Sequence, residues 1–205
     1  KDGLVTPLKD GDVTVKATLN GKETTVVVHV EGVAHQIPIN FKNQIAPIFT
    51  KLGCNSGGCH GKASGQNGFK LSLLGFYPDE DFEYLVKEGR GRRLFPSSPA
   101  ESLLLLKATG KSPHGGGKRM EAGSYEYRMI YRWVEQGMPY GNPDDAYVVG
   151  IECLPKQRLM DRGSDQQITV LARYSDGTTE DVTRMALYEA NDPEMAESTE
   201  EGLIK

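Results

Sequence analysis

The sequence lacks several features that would assign it to a specialised class of protein. Its 205 residues include only three cysteines, an odd number that fits poorly with a disulfide framework. The strongest apolar run, Leu103–Leu106, is one helical turn long and falls far short of the roughly 20 residues of a membrane-spanning helix. The sequence therefore predicts neither a disulfide-rich scaffold nor a membrane span.

The chain also lacks a strong charge of either sign. It has 24 Lys and Arg residues against 28 Asp and Glu residues, which gives a formal net charge of −4. A charge this small does not indicate binding to nucleic acid or to an anionic membrane surface. Hydrophobic residues make up 38% and charged residues 25%, a balance typical of globular domains with a hydrophobic core.

Both ends of the chain have the alternating pattern of β-strands. Near the N-terminus, apolar and polar residues alternate on either side of Asn20-Gly21, the dipeptide that most strongly indicates a two-residue hairpin turn. We expect a hairpin with one buried face. Near the C-terminus, the same alternation runs from Ile168 to Tyr174 and leads into a predicted turn over residues 175–177.

The middle of the chain has the apolar spacing of α-helices. This spacing predicts helices over residues 41–52, 79–88 and 124–136, each followed directly by a glycine. A further helix is predicted after Ser98, which is expected to form a capping box with Glu101. The chain thus divides into a β segment (1–33), a helical domain (34–147) and a second β segment (148–205).

The stretch LGCNSGGCHGKASGQNGF has the composition of a haem-attachment loop. Cys54 and Cys59 are separated by four small or polar residues, and His60 follows directly. Covalent haem attachment needs two thiols near the two vinyl groups and a histidine that coordinates the iron, most often as C-x-x-C-H. Because glycine has no Cβ to clash in tight turns, Gly57-Gly58 would let the two additional residues loop out. His60 would then be the proximal iron ligand.

Two other interpretations of this motif stay open. Cys54, Cys59, His60 and another histidine would make a Cys2His2 zinc site, although adjacent Cys59 and His60 are awkward ligands for one tetrahedral ion. A Cys54–Cys59 disulfide would close a short loop and add little stability. The predicted helices over 41–52 and 124–136 favour haem, because crossed first and last helices beside the attachment loop are typical of small c-type cytochromes.

Several separated motifs resemble one family. The stretches IAPIFTKLGCNSGGCHGKASGQNGFKLSLLGF, GRGRRLFPSSPAESLLLLKATG, PHGGGKRM and YRWVEQGMPYG, between Phe41 and Gly141, together resemble the cytochrome c-like domain of large planctomycete secreted proteins. The spacer of four residues departs from the commonest form of that family. The resemblance implies an all-α cytochrome c-like haem domain with covalent haem c.

The flanking segments resemble parts of another module. The chain opens with KDGLVT and closes with EEGLIK, and YSDGTTEDVT near its end is similar to the first half of a bacterial Ig-like domain of group 2. The N-terminal segment is similar to the second half. The resemblance implies a multidomain fold with the haem domain between all-β Ig-like (β-sandwich) segments. Because neither half would bury a full sandwich core alone, we expect them to pair, within a chain or by self-association.

The resemblance also indicates the remaining haem contacts. In the ordinary form of the family, a Met-Pro-Pro segment upstream of the last-helix tryptophan supplies the sixth iron ligand. Counting back from Trp133, His114 stands beside the equivalent position, with Met120 as the alternative ligand and an open or water-bound iron as the third possibility. Two basic clusters supply the candidates for pairing with the haem propionates, because a guanidinium fork matches a carboxylate. They contain Arg90, Arg92, Arg93, Lys118 and Arg119, of which Arg92 and Arg93 are the proposed haem-binding residues.

These residues predict a function in electron transfer rather than catalysis. With His60 and His114 both bound, the iron has no open coordination site, which suits one-electron exchange with a redox partner protein. The alternatives are a gas or redox sensor or peroxidase-like module in which His114 dissociates, and a zinc-stabilised adhesion or scaffold protein without haem. Covalent haem attachment takes place outside the cytoplasm, so we expect an extracytoplasmic location, periplasmic or at the cell surface.

Overall fold

The computed structural model describes residues 5–35 and 37–205, so residues 1–4 of the KDGLVT motif lie outside the described part. The chain forms two compact units, Lys1–Pro38 and Ile39–Lys205. The boundaries expected from the sequence, after residues 33 and 147, stay predictions about module organisation. No helix in the described ranges combines the length and the hydropathy needed to cross a membrane, as expected.

The N-terminal unit contains the predicted hairpin. Strands β1 (Gly11–Leu19) and β2 (Lys22–Val30) pair antiparallel, with Leu19 opposite Lys22 at the turn. Asn20 and Gly21 both adopt positive φ, 50° and 72°, which is the conformation of a type I′ turn. The expected buried face is wrong, since Val26 remains 59% exposed. Two strands by themselves provide no second layer for an apolar face.

The helical region begins with a π-helical turn (Phe41–Ile45) that continues into α1 (Ala46–Lys51). The side-chain oxygen of Asn40 caps this start by accepting a hydrogen bond from the amide of Asn43, at 3.0 Å. Proline has no amide hydrogen to donate, and Pro47 lies where the helical pattern changes. The prediction of a helix over 41–52 that ends at a glycine is confirmed.

The prediction of a helix over 79–88 is confirmed, because α2 (Pro78–Phe82) continues as a π-helical turn over Glu83–Lys87. Helix α3 spans Leu103–Ala108. The predicted capping box is wrong, because the side chain of Ser98 makes no capping bond and a separate 3₁₀ turn precedes α3. The helix instead starts after Ser102, which is fully buried.

Helix α4 (Tyr125–Glu135) matches its prediction and forms the centre of the core. The Ser124 hydroxyl accepts a hydrogen bond from the amide of Tyr127 at 3.2 Å and so caps the helix. Trp133 is fully buried and donates its indole N–H to the carbonyl of Pro139 at 2.8 Å. Around it pack buried side chains from the whole helical region, among them Phe41, Ile45, Ile48, Phe49, Leu71, Leu85, Leu105, Ile130 and Val134.

The C-terminal part contains two small antiparallel sheets. One has the strand order β3–β5–β6, built from Val148–Leu154, Thr169–Tyr174 and Thr179–Asp181; the other pairs β4 (Gln166–Gln167) with β7 (Leu203–Ile204). Within β5, Val170 and Ala172 are buried, which confirms the predicted alternation. The predicted turn after β5 is confirmed by the bond from the amide of Gly177 to the carbonyl of Tyr174, at 3.0 Å.

These strands belong to the same compact unit as the helices. The ammonium group of Lys51, at the end of α1, donates to the carbonyl oxygens of Arg184 and Glu200, the latter at 2.8 Å. Burial lowers the pKa of Lys51, because the charged form loses hydration there. The lysine thus ties the first helix to two separate stretches of the C-terminal region.

The expected fold class, an all-α cytochrome c-like haem domain between all-β Ig-like sandwich segments, is therefore wrong. Across the described residues, 24% are helical and 20% are in strands that form small sheets, with four short α-helices. The helices are short because glycine and proline interrupt the apolar patterns; Gly53, Gly89 and Gly137, for example, follow helical turns with positive φ. The sheets have two or three strands, too few to face each other as a sandwich.

Candidate functional site

A cavity of about 800 Å³ opens between the C-x4-C-H loop, helix α3 and the PHGGGKR loop (residues 113–119). This volume lies in the upper part of the range that holds small molecules and cofactors, about 300–1,000 Å³. Both motif cysteines, His60 and His114 line it. The sequence-predicted thiols and imidazoles, which come from two distant loops, therefore meet in one place.

The C-x4-C-H loop reaches the cavity by folding back on itself after α1. The amide of Cys54 bonds to the carbonyl of Phe49 at 2.8 Å, and the amide of His60 bonds to the carbonyl of Cys54 at 3.0 Å. The turn requires a glycine just after the motif, because a Cβ on Gly61 would lie 2.0 Å from the carbonyl oxygen of Asn55. The sequence analysis instead expected Gly57-Gly58 to provide the freedom that this loop needs. A Cβ on Gly58 would meet nothing within 4 Å.

His60 is held by a bond that determines which ring nitrogen is free. Its Nδ1 lies 3.0 Å from the carbonyl oxygen of Phe69. Since a carbonyl only accepts, Nδ1 carries the hydrogen and Nε2 keeps a lone pair. Burial lowers the pKa of His60, and the nearby His114 and Arg93 lower it further, while the bond to Phe69 acts in the opposite direction. The imidazole is therefore neutral at pH 7, as metal coordination requires.

His114 has the matching arrangement on the opposite loop. Its Nδ1 lies 2.7 Å from the carbonyl oxygen of Gly117, so its Nε2 also keeps a lone pair. The ring centres of His60 and His114 are 6.3 Å apart, and the ring planes are inclined by only 8°. Hydrogen bonds from Nδ1 to backbone carbonyls are a regular feature of metal-bound histidines, where they orient the ring.

The separation of the two rings can be compared with the separation expected in two kinds of metal site. A metal–nitrogen bond is about 2.0 Å and a ring nitrogen lies about 1.2 Å from its ring centre, so imidazoles on opposite sides of one ion have centres roughly 6.4 Å apart. At a tetrahedral angle the centres would be roughly 5 Å apart. The observed centre-to-centre distance of 6.3 Å is close to the first of these two values.

The two thiols at the cavity differ in their surroundings. Cys54 and Cys59 are both free and half-buried. Burial raises the pKa of Cys54 to about 11, an effect that the positive charge of Arg119 partly offsets. The guanidinium Nη2 of Arg119 lies 3.6 Å from the sulfur of Cys59. The third cysteine, Cys153, is exposed on β3 and does not line the cavity.

Arg92 and Arg93 both line the cavity but are held differently. Arg93 is buried, and it donates from Nη2 to the carbonyl of Gly68 at 2.6 Å and from Nη1 to two further carbonyls. Its guanidinium also lies over the ring of Phe69, 4.7 Å from the centroid, and that ring in turn packs on His60. Arg93 therefore supports the wall behind His60, whereas Arg92 is exposed at the rim.

Met120, the alternative sixth ligand, is buried in the hydrophobic core and is not among the residues that line the cavity. Its amide bonds to the carbonyl of Ala108 at 3.1 Å, next to the end of α3. Sequence reasoning named Arg119 only as one member of a basic cluster. No pattern in the PHGGGKRM stretch indicated that Arg119 contacts Cys59, because that contact depends on how two separate loops pack.

The zinc interpretation requires several metal ligands close together. Across residues 5–35 and 37–205, no three His, Cys, Asp or Glu side chains are grouped closely enough to hold one metal ion.

The family resemblance of the separated motifs stays a prediction. Comparison with protein-family models, with curated proteins and with solved structures finds no match for this chain.

Proposed function

We propose that this chain is an electron-transfer module that binds one haem covalently through Cys54 and Cys59 and ligates its iron with His60 and His114. The observation that carries the proposal is the pair of imidazoles 6.3 Å apart across one cavity, each with Nδ1 bonded to a backbone carbonyl. That arrangement leaves one Nε2 lone pair on each ring for a metal ion.

The lining of the cavity suits the chemistry of a haem, which is flat, largely apolar and carries two carboxylates. Apolar walls come from Phe49, Leu71, Leu103, Leu104 and Ala108. Four cationic side chains also line the cavity, and no Asp or Glu among the residues that the structure describes does so, although the chain as a whole is acidic. The four cations are Arg92, Arg93, Lys107 and Arg119. Because Arg93 is already bonded to three carbonyls, the exposed Arg92 is the better partner for a propionate.

When bound, haem iron supplies a one-electron redox couple. The residues of the chain contribute orientation and ligand strength. The carbonyls of Phe69 and Gly117 hold each imidazole in one tautomer and one orientation, so neither ring has to turn when the charge at the site changes. Two nitrogen ligands favour ferric iron more than a His/Met pair does, and we expect a low reduction potential.

This proposal implies an extracytoplasmic location and a redox partner protein. Haem is attached to thiols outside the cytoplasm, and Cys54 and Cys59 are both free thiols at the cavity. The motif resemblance to planctomycete secreted proteins points to the same compartment. Self-association through the N- and C-terminal β segments remains a separate hypothesis.

The test is to express the chain in a host whose periplasm contains a haem-attachment system, and to record intact mass and optical spectra. We expect the mass of one added haem, a Soret band and a low-spin ferric spectrum. A variant with Cys54→Ser and Cys59→Ser should lose covalent haem while keeping its fold. Wild-type protein that shows no Soret band and weighs only what its amino acids weigh would contradict the proposal.

One observation favours a second function for the same site, in which His114 dissociates to admit a gas or peroxide. His114 is followed by Gly115-Gly116-Gly117, and Gly115 and Gly117 are exposed to solvent. Glycines lower the cost of moving a loop. Fast and complete binding of carbon monoxide to the reduced protein would favour this sensor-like function, and absence of binding would favour electron transfer.

A further inference from the structure

Arg119 occupies the space between the two ligand-bearing loops. Its Nη1 donates to the carbonyl of Leu52 at 3.5 Å, and its Nη2 donates to the sulfur of Cys59 at 3.6 Å, both on the C-x4-C-H side. On the other side, a Cβ on Gly116 would lie 3.4 Å from Nη2. The guanidinium therefore contacts the segment that carries Cys59 and closely approaches the segment that carries His114.

The backbone that carries Arg119 is anchored firmly. The amides of Arg119 and Met120 both donate to the carbonyl of Ala108, at 2.7 and 3.1 Å. The side chain of Met120 is buried in the hydrophobic core. Because the backbone is fixed to the end of α3 on one side and to the core on the other, the guanidinium projects from a stable base.

The two cysteines differ in how much local support they have. Cys54 follows α1 directly, its amide bonds to the carbonyl of Phe49, and its side chain packs against the hydrophobic core. Cys59 follows the Asn-Ser-Gly-Gly spacer, and its amide bonds to the carbonyl of Ser56 within that spacer, at 3.0 Å. The sulfur of Cys59 accepts from Nη2 of Arg119 at 3.6 Å.

We infer that Arg119 is the positioning residue for the thioether at Cys59. The inference rests on the proposed haem function. In the attachment step, the S–H of Cys59 adds across a haem vinyl group. A carbon–sulfur bond forms, the vinyl π bond is lost, and the proton ends on the terminal vinyl carbon, so no oxidant or reductant is consumed. Arg119 contributes orientation of the sulfur and touches none of the carbon atoms that react.

The experiment places Arg119→Gln in two single-cysteine backgrounds expressed with a haem-attachment system. With Cys54→Ser, the only thioether is at Cys59; with Cys59→Ser, the only one is at Cys54. Intact mass gives the fraction of protein with covalent haem. We expect Arg119→Gln to lower this fraction several-fold in the Cys54→Ser background and to leave it unchanged in the Cys59→Ser background.

Arg128→Gln is the matched control, because it removes an exposed arginine on α4 that donates to the carbonyl of Gly123 and does not line the cavity; it should change neither background. An equal loss of haem in both backgrounds would show a general structural role, and no loss in either would show no role; both results overturn the inference. Wild-type protein without covalent haem is a different outcome, which would refute the proposed function and this inference together.

Discussion

The imidazole rings of His60 and His114 lie in nearly parallel planes with their centres 6.3 Å apart. Each ring is oriented by a carbonyl oxygen of its own loop, Phe69 for His60 and Gly117 for His114. Neither loop is part of a helix or strand, so the distance between the rings is set by how the two loops are anchored to the core. Most of the functional predictions depend on this relationship.

Replacement of His114 tests directly whether its imidazole is an iron ligand. We expect His114→Ala, expressed with a haem-attachment system, to retain covalent haem and to convert the ferric spectrum from low spin to high spin, because one strong nitrogen ligand is lost. The matched control is His35→Ala, which removes an exposed histidine from the N-terminal unit. A low-spin spectrum in His114→Ala would eliminate this residue as the ligand.

Gly58 and Gly61 should differ sharply in how well they tolerate substitution by alanine. A Cβ on Gly61 would lie 2.0 Å from the backbone oxygen of Asn55, so Gly61→Ala must displace the loop and should cost at least about 1–3 kcal/mol of unfolding free energy. Gly58→Ala meets nothing within 4 Å and should stay within about 0.5 kcal/mol of wild type. Urea denaturation measures both; equal losses would contradict the close approach at Gly61.

Thiol reactivity should separate Cys54 from Cys153 in protein made without haem. Burial raises the pKa of Cys54 to about 11, so its thiolate fraction near pH 8 is about one in a thousand. Cys153 is exposed on β3. Iodoacetamide at pH 8 should therefore label Cys153 well before Cys54, as measured by peptide mass mapping. In urea-unfolded protein the two rates should converge; equal rates in the folded protein would argue against burial of Cys54.

The buried carboxylate of Asp81 supports the segment that follows the C-x4-C-H loop. It accepts hydrogen bonds from the amide and the hydroxyl of Ser72, the latter at 2.7 Å. Asp81→Asn replaces one accepting oxygen by a donor and should lower the unfolding free energy by about 1–3 kcal/mol. Asp79→Asn, at an exposed neighbour, should have little effect. Equal stability of both variants would contradict the assigned role of Asp81.

A pH-dependent contact lies in the hairpin. Asp12 and His29 face each other across β1 and β2, and the hydrogen bond to Asp12 is the main cause of the raised pKa of His29, with Glu31 contributing. Protonated His29 therefore stabilises the hairpin fully below about pH 6.5, and this contribution is lost as pH rises through the raised pKa. NMR titration should show a lower pKa in Asp12→Asn and no change in Glu23→Gln, at the opposite end of the hairpin. An unchanged pKa in Asp12→Asn would exclude the contact.

Local sequence signals predicted the backbone correctly where a residue type strongly prefers one backbone conformation. Asn20-Gly21 predicted a two-residue hairpin turn, and both residues have the positive φ of a type I′ turn. Apolar spacing predicted the helix over 124–136, and the structure adds that the Ser124 hydroxyl caps α4 by accepting from the amide of Tyr127. The same logic was wrong at Ser98, where a 3₁₀ turn intervenes and the helix begins after Ser102.

The sequence by itself determined the chemistry available to this protein: two thiols and an imidazole in one short motif, a second imidazole in a glycine-rich loop, and the positions of four helical segments. Only the tertiary structure decided which of these groups face one another, that Arg93 supports a wall while Arg119 contacts Cys59, and that the flanking strands form small sheets instead of sandwiches. The physical reason is that residue spacing fixes local backbone geometry, whereas side-chain distances between separate loops depend on how each loop is anchored to a shared core.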